Sequence, residues 1–148
     1  MVEQFRGYAH RVDIEADASA VWQSLTQTEK LRQWCSPGAR IDPRAGGSFR
    51  ASVDRVSELE ACIDVFEPAR RLRLIYLPSP HHPTAEVTIV DDLILEANGP
   101  ITIVRLLGSG IPSTREWDTH YMRQRIGWER AMARLKVLVE SSRKRCAS

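Results

Sequence analysis

The feature that most constrains this chain is one long apolar stripe near its end. The segment Asp118 to Glu140, within "STREWDTHYMRQRIGWERAMARLKVLVESS", reads as a single helix. At 1.5 Å per residue it would run about 34 Å, so only a sheet of comparable width can cover it. Advancing about 100° per residue puts Trp117, Tyr121, Arg125, Trp128, Met132, Leu135 and Val139 in one stripe, while Arg123, Glu129, Arg130 and Lys136 point elsewhere. Ser113 with Glu116 has the spacing of a capping box, and Asp118 is a second candidate start. Gly127 sits inside this helix at a cost of roughly 1 kcal/mol relative to alanine. Its place on the flank of the stripe, one turn before Ala131, predicts a close backbone approach that lets Trp128 bury its indole.

What precedes the rod has the periodicity of strands. Tyr8, His10, Val12 and Ile14 alternate with Arg11, Asp13 and Glu15, as a half-buried strand requires. The period then changes. Asp17 is the candidate N-cap of a short helix through Leu25, and Thr28-Glu29 restarts a second helix carrying Leu31 and Trp34 before Pro37-Gly38 stops it. Six strand-like runs follow: "ARID", "GSFRASV", "ELEACIDVF", "RLRLIYL", "AEVTIVDDLILEA" and "PITIVRLL". Short connections rich in Pro, Gly and Asn divide them, which favours antiparallel neighbours over parallel crossovers.

With 43% hydrophobic and 27% charged residues, 148 residues make one domain with a sizeable core, and no composition shift or repeat marks a boundary. The net charge of +2 sits largely in "SSRKRCAS", so nucleic acid is not an expected partner, and residues 141–148 are expected to be a frayed basic tail. No window reaches the roughly 18 apolar residues that membrane insertion needs. Cys35, Cys62 and Cys146 are too widely spaced for a disulfide framework or a metal motif, which fits a reducing, cytoplasmic setting. The histidine pair His81-His82 lies in a proline-bounded loop far in sequence from His10 and His120, so no metal is expected. No phosphate loop, GxSxG or HExxH is present, no cofactor is implied, and Asp91 and Asp92 point to opposite faces of one strand, which rules them out as an acid/base pair.

The order of elements is that of the α+β helix-grip fold, in which a curved antiparallel sheet wraps a long C-terminal helix after two short helices. The motifs "VDIEADASAVWQSLTQTEKLRQWCSP", "GGSFR", "FEPARRLRLIY", "EVTIVDDL", "GSGI" and "GWERAMARLKVLVE" cover nearly the whole chain. In them the sequence resembles the family named after the activator of the heat-shock protein 90 ATPase, within the START-like, Bet v 1-like (SRPBCC) superfamily. The resemblance implies a compact domain with an apolar cavity between sheet and helix. Two departures limit it. Gly108 stands where relatives often carry a histidine, and the activator's separate chaperone-binding domain has no counterpart, so a chaperone partner is doubtful.

From the residues themselves, Trp34, Phe49, Ile63, Leu74, Tyr76, Ile89, Tyr121 and Trp128 are candidates to line such a cavity, or equally to fill a core. Arg125 says more. It is the charged residue on the stripe, and a buried guanidinium must find a carboxylate, water or a ligand's polar group. His10, on the apolar side of the first strand, is a second candidate polar contact. The leading expectation is a domain that binds a small, largely apolar molecule, with Arg125, Tyr121 and His10 on its polar end. The resemblance supplies the alternatives: an enzyme like the superfamily's cyclases and dehydratases, which needs several titratable groups in one cavity, or a co-chaperone-like interaction module. Ile126 and Val137, on the outer face of the helix, are where a homodimer would form.

Overall fold

The computed structural model describes residues 4–84 and 86–147, with side chains as far as Arg143. Seven strands form one antiparallel sheet: β1 (Phe5–Ile14), β2 (Arg40–Ile41), β3 (Ser48–Ala51), β4 (Leu59–Glu67), β5 (Arg71–Tyr76), β6 (Val90–Asn98) and β7 (Ile101–Pro112). Their spatial order is β1-β7-β6-β5-β4-β3-β2, so β1 returns to pair with the last strand and leaves one edge free. Two short helices, α1 (Ala18–Thr26) and α2 (Thr28–Trp34), follow β1, and the long helix α3 (Asp118–Ala147) closes the chain after a single 3-10 turn at Arg115–Trp117. This is the helix-grip architecture.

Local chemistry accounts for the joints. Asp17 caps α1, its Oδ1 accepting from the Ala20 amide at 2.8 Å. The end of α2 is held from another element: Arg134 of α3 donates through Nε to the Trp34 carbonyl at 2.7 Å and reaches the Cys35 carbonyl at 3.5 Å. Those carbonyls have no partner inside the helix, and a guanidinium is the natural donor for them. In β4, Leu59, Ala61 and Ile63 turn inward and Glu60, Cys62 and Asp64 outward, the alternation expected of a one-sided sheet.

Gly127 has the predicted role. A Cβ there would lie 2.7 Å from the Val53 carbonyl oxygen and 3.0 Å from the Asp54 amide nitrogen, so the backbone linking β3 to β4 rests directly on the helix. Trp128 next to it is fully buried.

Two expectations about α3 need correction. Helix continues to Ala147, and Arg143, within the supposed frayed tail, donates to the Glu15 carbonyl at 2.7 Å. The buried face also differs in the N-terminal half, where His120, Gln124 and Gly127 turn inward and Tyr121 and Arg125 ride half-exposed on the rim. A stripe of period 3.6 allows either neighbour at each turn, and the position that keeps a guanidinium near water wins.

Candidate functional site

The ten candidate residues divide into two groups. Trp34, Phe49, Ile63, Leu74, Tyr76, Ile89 and Trp128 all belong to the single apolar cluster between sheet and helices. Their side chains pack within that cluster: the rings of Trp34 and Trp128 lie 6.4 Å apart, and the Trp34 indole donates to the Ser24 carbonyl at 2.7 Å. Tyr121, Arg125 and His10 instead meet at the surface, along the seam between β1 and α3.

The centre of the core is polar, which the sequence reading passed over. Asp91 on β6 is 0% exposed and accepts three hydrogen bonds: from the Tyr8 hydroxyl at 2.6 Å, the Tyr76 hydroxyl at 2.7 Å and the Trp128 indole at 2.9 Å. Burial pushes its carboxyl above the usual carboxylate range, and the three donors pull the other way. The same burial, with Asp91 beside them, holds both tyrosines well above their ordinary value, so they act as donors only. Asp92 does point to the opposite face, in a two-pronged bond with Arg71 at 2.8 and 3.0 Å. The signal for Asp91 was parity: it shares the inward face with Ile89, Leu93 and Leu95, where a charge demands partners.

Tyr8 carries this hub to the surface. It pairs with Gly108 across β1 and β7, and its ring occupies the space that any Cβ at position 108 would need. Tyr8 also borders a cleft of about 420 Å³ with Ala9, His10, Tyr121, Arg125 and Glu129. A second hollow of about 290 Å³ shares Ala9, His10 and Glu129 and adds Arg11 and the apolar Val12, Met132 and Ala133.

The seam is tied down at both ends. Toward the start of α3, the Tyr121 hydroxyl donates to the Gly7 carbonyl at 2.9 Å and Arg6 pairs with Asp118 at 2.8 Å. Further along, Lys136 donates to the Asp13 carbonyl and Glu140 accepts the Glu15 amide at 2.8 Å. Between these ties lies the cleft. Arg125 has no carboxylate partner among the described residues; its guanidinium lies 5.7 Å from the Tyr121 ring centre and 3.4 Å from the Met122 sulfur. His10 Nε2 is buried without a hydrogen-bond partner, and its ring lies 5.6 Å from that of Tyr8.

A third cluster joins histidines that are remote in sequence. His82 packs against Trp117 and stands edge-on to His120, with ring centres 5.3 and 4.9 Å away. The loop histidine His82 is thus not simply solvated. Burial lowers both, His120 to about 4, so each is neutral at pH 7. Among the described residues no group of three or more His, Cys, Asp or Glu is placed to hold a metal ion. Cys35 is buried and its thiol is pushed up to about 12, which leaves it unreactive.

A curved antiparallel sheet gripping a long terminal helix, with two short helices after the first strand, is the arrangement of START-like domains. Residues 15–140 match the model of the activator of Hsp90 ATPase homolog 1-like proteins, and the chain belongs to that family. No curated protein matches the sequence significantly. Among solved structures, MLL2253 from Mesorhizobium loti is 20% identical with a TM-score of 0.78, over 92% of this chain and 98% of that one. CalU16 from Micromonospora echinospora is 21% identical with a TM-score of 0.70, over 91% and 74%. The Aha1 dimer from Colwellia psychrerythraea is 18% identical with a TM-score of 0.74, over 91% and 96%. These likenesses establish the fold. No helix of the described residues is long and apolar enough to cross a membrane.

Proposed function

We propose that this protein is a small-molecule-binding domain whose ligand, largely apolar with one polar end, sits at the seam between β1 and α3. The observation that carries this reading is Arg125: a half-buried guanidinium without a carboxylate, beside a buried and unpartnered His10 nitrogen, at the rim of a cleft of about 420 Å³. Such groups normally find partners inside the protein, and their convergence on one opening is what a binding site requires. Tyr121, fixed by its bond to Gly7, gives the guanidinium a ring to lie against. The apolar part would lie over Val12, Met132 and Ala133 in the adjoining hollow.

Thermal-shift measurement against a library of lipids and aromatic acids tests the proposal on the wild type and on Arg125→Gln. At least one compound should raise the melting temperature of the wild type and raise that of the variant less. A library that moves neither protein contradicts it.

A second reading has one observation in its favour. His10, Glu129 and Tyr8 border the same cleft as Arg125, the convergence of titratable groups that a cyclase- or dehydratase-like enzyme needs. Turnover of a cleft-bound compound, abolished in His10→Gln, would favour it over simple binding. A homodimer belongs with either reading: a relative is a dimer in solution, and Val137 on the outer face of α3 is 64% exposed. Size-exclusion chromatography of wild type and Val137→Glu separates dimer from monomer.

A further inference from the structure

The cleft has two poles, and together they specify more of the ligand than its polarity. Arg125 and Glu129 are one helical turn apart, the spacing at which opposite charges usually pair, with Cβ atoms roughly 5–6 Å apart. Here they do not pair with each other, nor with any other charge among the described residues, and both border the same opening. Opposite them runs the free edge of β1. Asp13 turns its carbonyl away from β7 and toward α3, so Ala9 and Arg11, of the same parity in the strand, direct their backbone groups to this edge as well. Ala9 lines both hollows.

The geometry points to a carboxylic acid that carries an amine or hydroxyl next to its carboxylate and an apolar tail beyond, seated with the carboxylate on Arg125 and the neighbouring donor on Glu129. This assignment rests on the cleft being the binding site. An anion alone would meet Glu129 as a like charge, and a cation alone would meet Arg125. A head with both an acceptor anion and a donor satisfies the two unpaired side chains at once, and its polar atoms also meet the outward backbone of Ala9 and the free His10 nitrogen. The tail then follows the seam toward Val12, Met132 and Ala133, the apolar residues of the second hollow. A donor that is an amine and one that is a hydroxyl present the same chemistry to Glu129.

Calorimetric titration of the full chain with four matched probes tests this: 2-hydroxyoctanoate, 2-aminooctanoate, octanoate and octane-1,2-diol. Both substituted acids, or one of them, should bind tightest, octanoate more weakly, and the diol weakest. Arg125→Gln should weaken the substituted acids and octanoate alike by about tenfold, the scale of a charge-assisted hydrogen bond, and leave the diol unchanged. Glu129→Gln should erase the preference for the substituted acids over octanoate. The hydroxyl and amino probes show which donor is preferred. If octanoate binds as well as the substituted acids, or the diol as well as any acid, the inference falls while the binding cleft stands. If none of the four binds, the inference falls, and the thermal-shift library decides separately whether the binding cleft stands. Both substituted positions are at the surface, and melting temperatures of the variants within about a degree or two of the wild type confirm that each is folded.

Discussion

Trp128 donates its indole N–H to Asp91 at 2.9 Å, in a place where neither side chain reaches solvent. The helix is therefore joined to the sheet by a charge-capable bond as well as by apolar packing, and its position along the sheet is set by that contact. Since Tyr8 and Tyr76 complete the ring of donors, β1, β5, β6 and α3 all meet at one carboxyl group. A half-satisfied network would be worse than none, so each donor is individually costly to remove.

Tyr76→Phe should destabilise the protein by about 1–2 kcal/mol in denaturant titrations, because it removes one bond from a buried acceptor. It should also raise the Asp91 carboxyl further, since that bond favours the ionised form. The pH dependence follows. The folded protein holds the Asp91 proton more tightly than the unfolded chain, so between the ordinary carboxyl value and the raised one stability falls as pH rises. Asp91→Asn should remove that slope, seen as the difference between the two proteins' stability–pH curves, and Tyr76→Phe should steepen it.

Gly127→Ala should lower stability even though alanine is the better helix former. The gain in propensity is about 1 kcal/mol, whereas the new methyl would meet the Val53 carbonyl at 2.7 Å and the backbone there has no free rotamer to yield. A net loss of about 1–3 kcal/mol is expected, read by chemical denaturation. A more stable variant would mean that the loop before β4 is not held against the helix.

The His82–His120 pair predicts acid sensitivity of the opposite sign to that of Asp91. Burial holds both rings below their unfolded value, so their contribution to stability is present above about pH 6.5 and is lost as pH falls toward about 4. His120→Gln should flatten the melting temperature between those limits. An unchanged slope would show that the pair stays accessible to water.

Arg134→Met keeps the stem that packs along α3 but withdraws the donor from the Trp34 carbonyl. The end of α2 then has an orphaned carbonyl, and stability should drop by about 1–2 kcal/mol. Faster amide exchange around Thr28 to Cys35 should accompany it, because α2 is a helix of only seven residues with no side-chain cap at its start.

What could be read from the sequence was whatever depends on near neighbours. The Asp17 cap, the alternation of β4 and the close approach at Gly127 follow from residue type and period, and all three are present. The Asp91 hub was not readable in the same way, because its donors lie 83, 15 and 37 residues away in the chain. The membership of the apolar cluster was legible for another reason: an inward apolar face shows in the period of the strands, whereas the approach of Trp34 to Trp128, 94 residues apart, does not. The cleft was half visible. Arg125 drew notice as a charge on an apolar stripe, whereas Glu129 projects off that stripe and joins the site only because β1 runs beside it.

The most direct test of the account is a map of backbone amide shifts on the full chain as 2-hydroxyoctanoate is added. Shifts should gather on Ala9 to Val12 of β1 and on Tyr121 to Ala133 of α3, and in Arg125→Gln should need about tenfold more ligand to reach the same size. Shifts confined to the groove of Gln33, Val137 and Leu138 at the other side of α3, or no shifts at all, would contradict it.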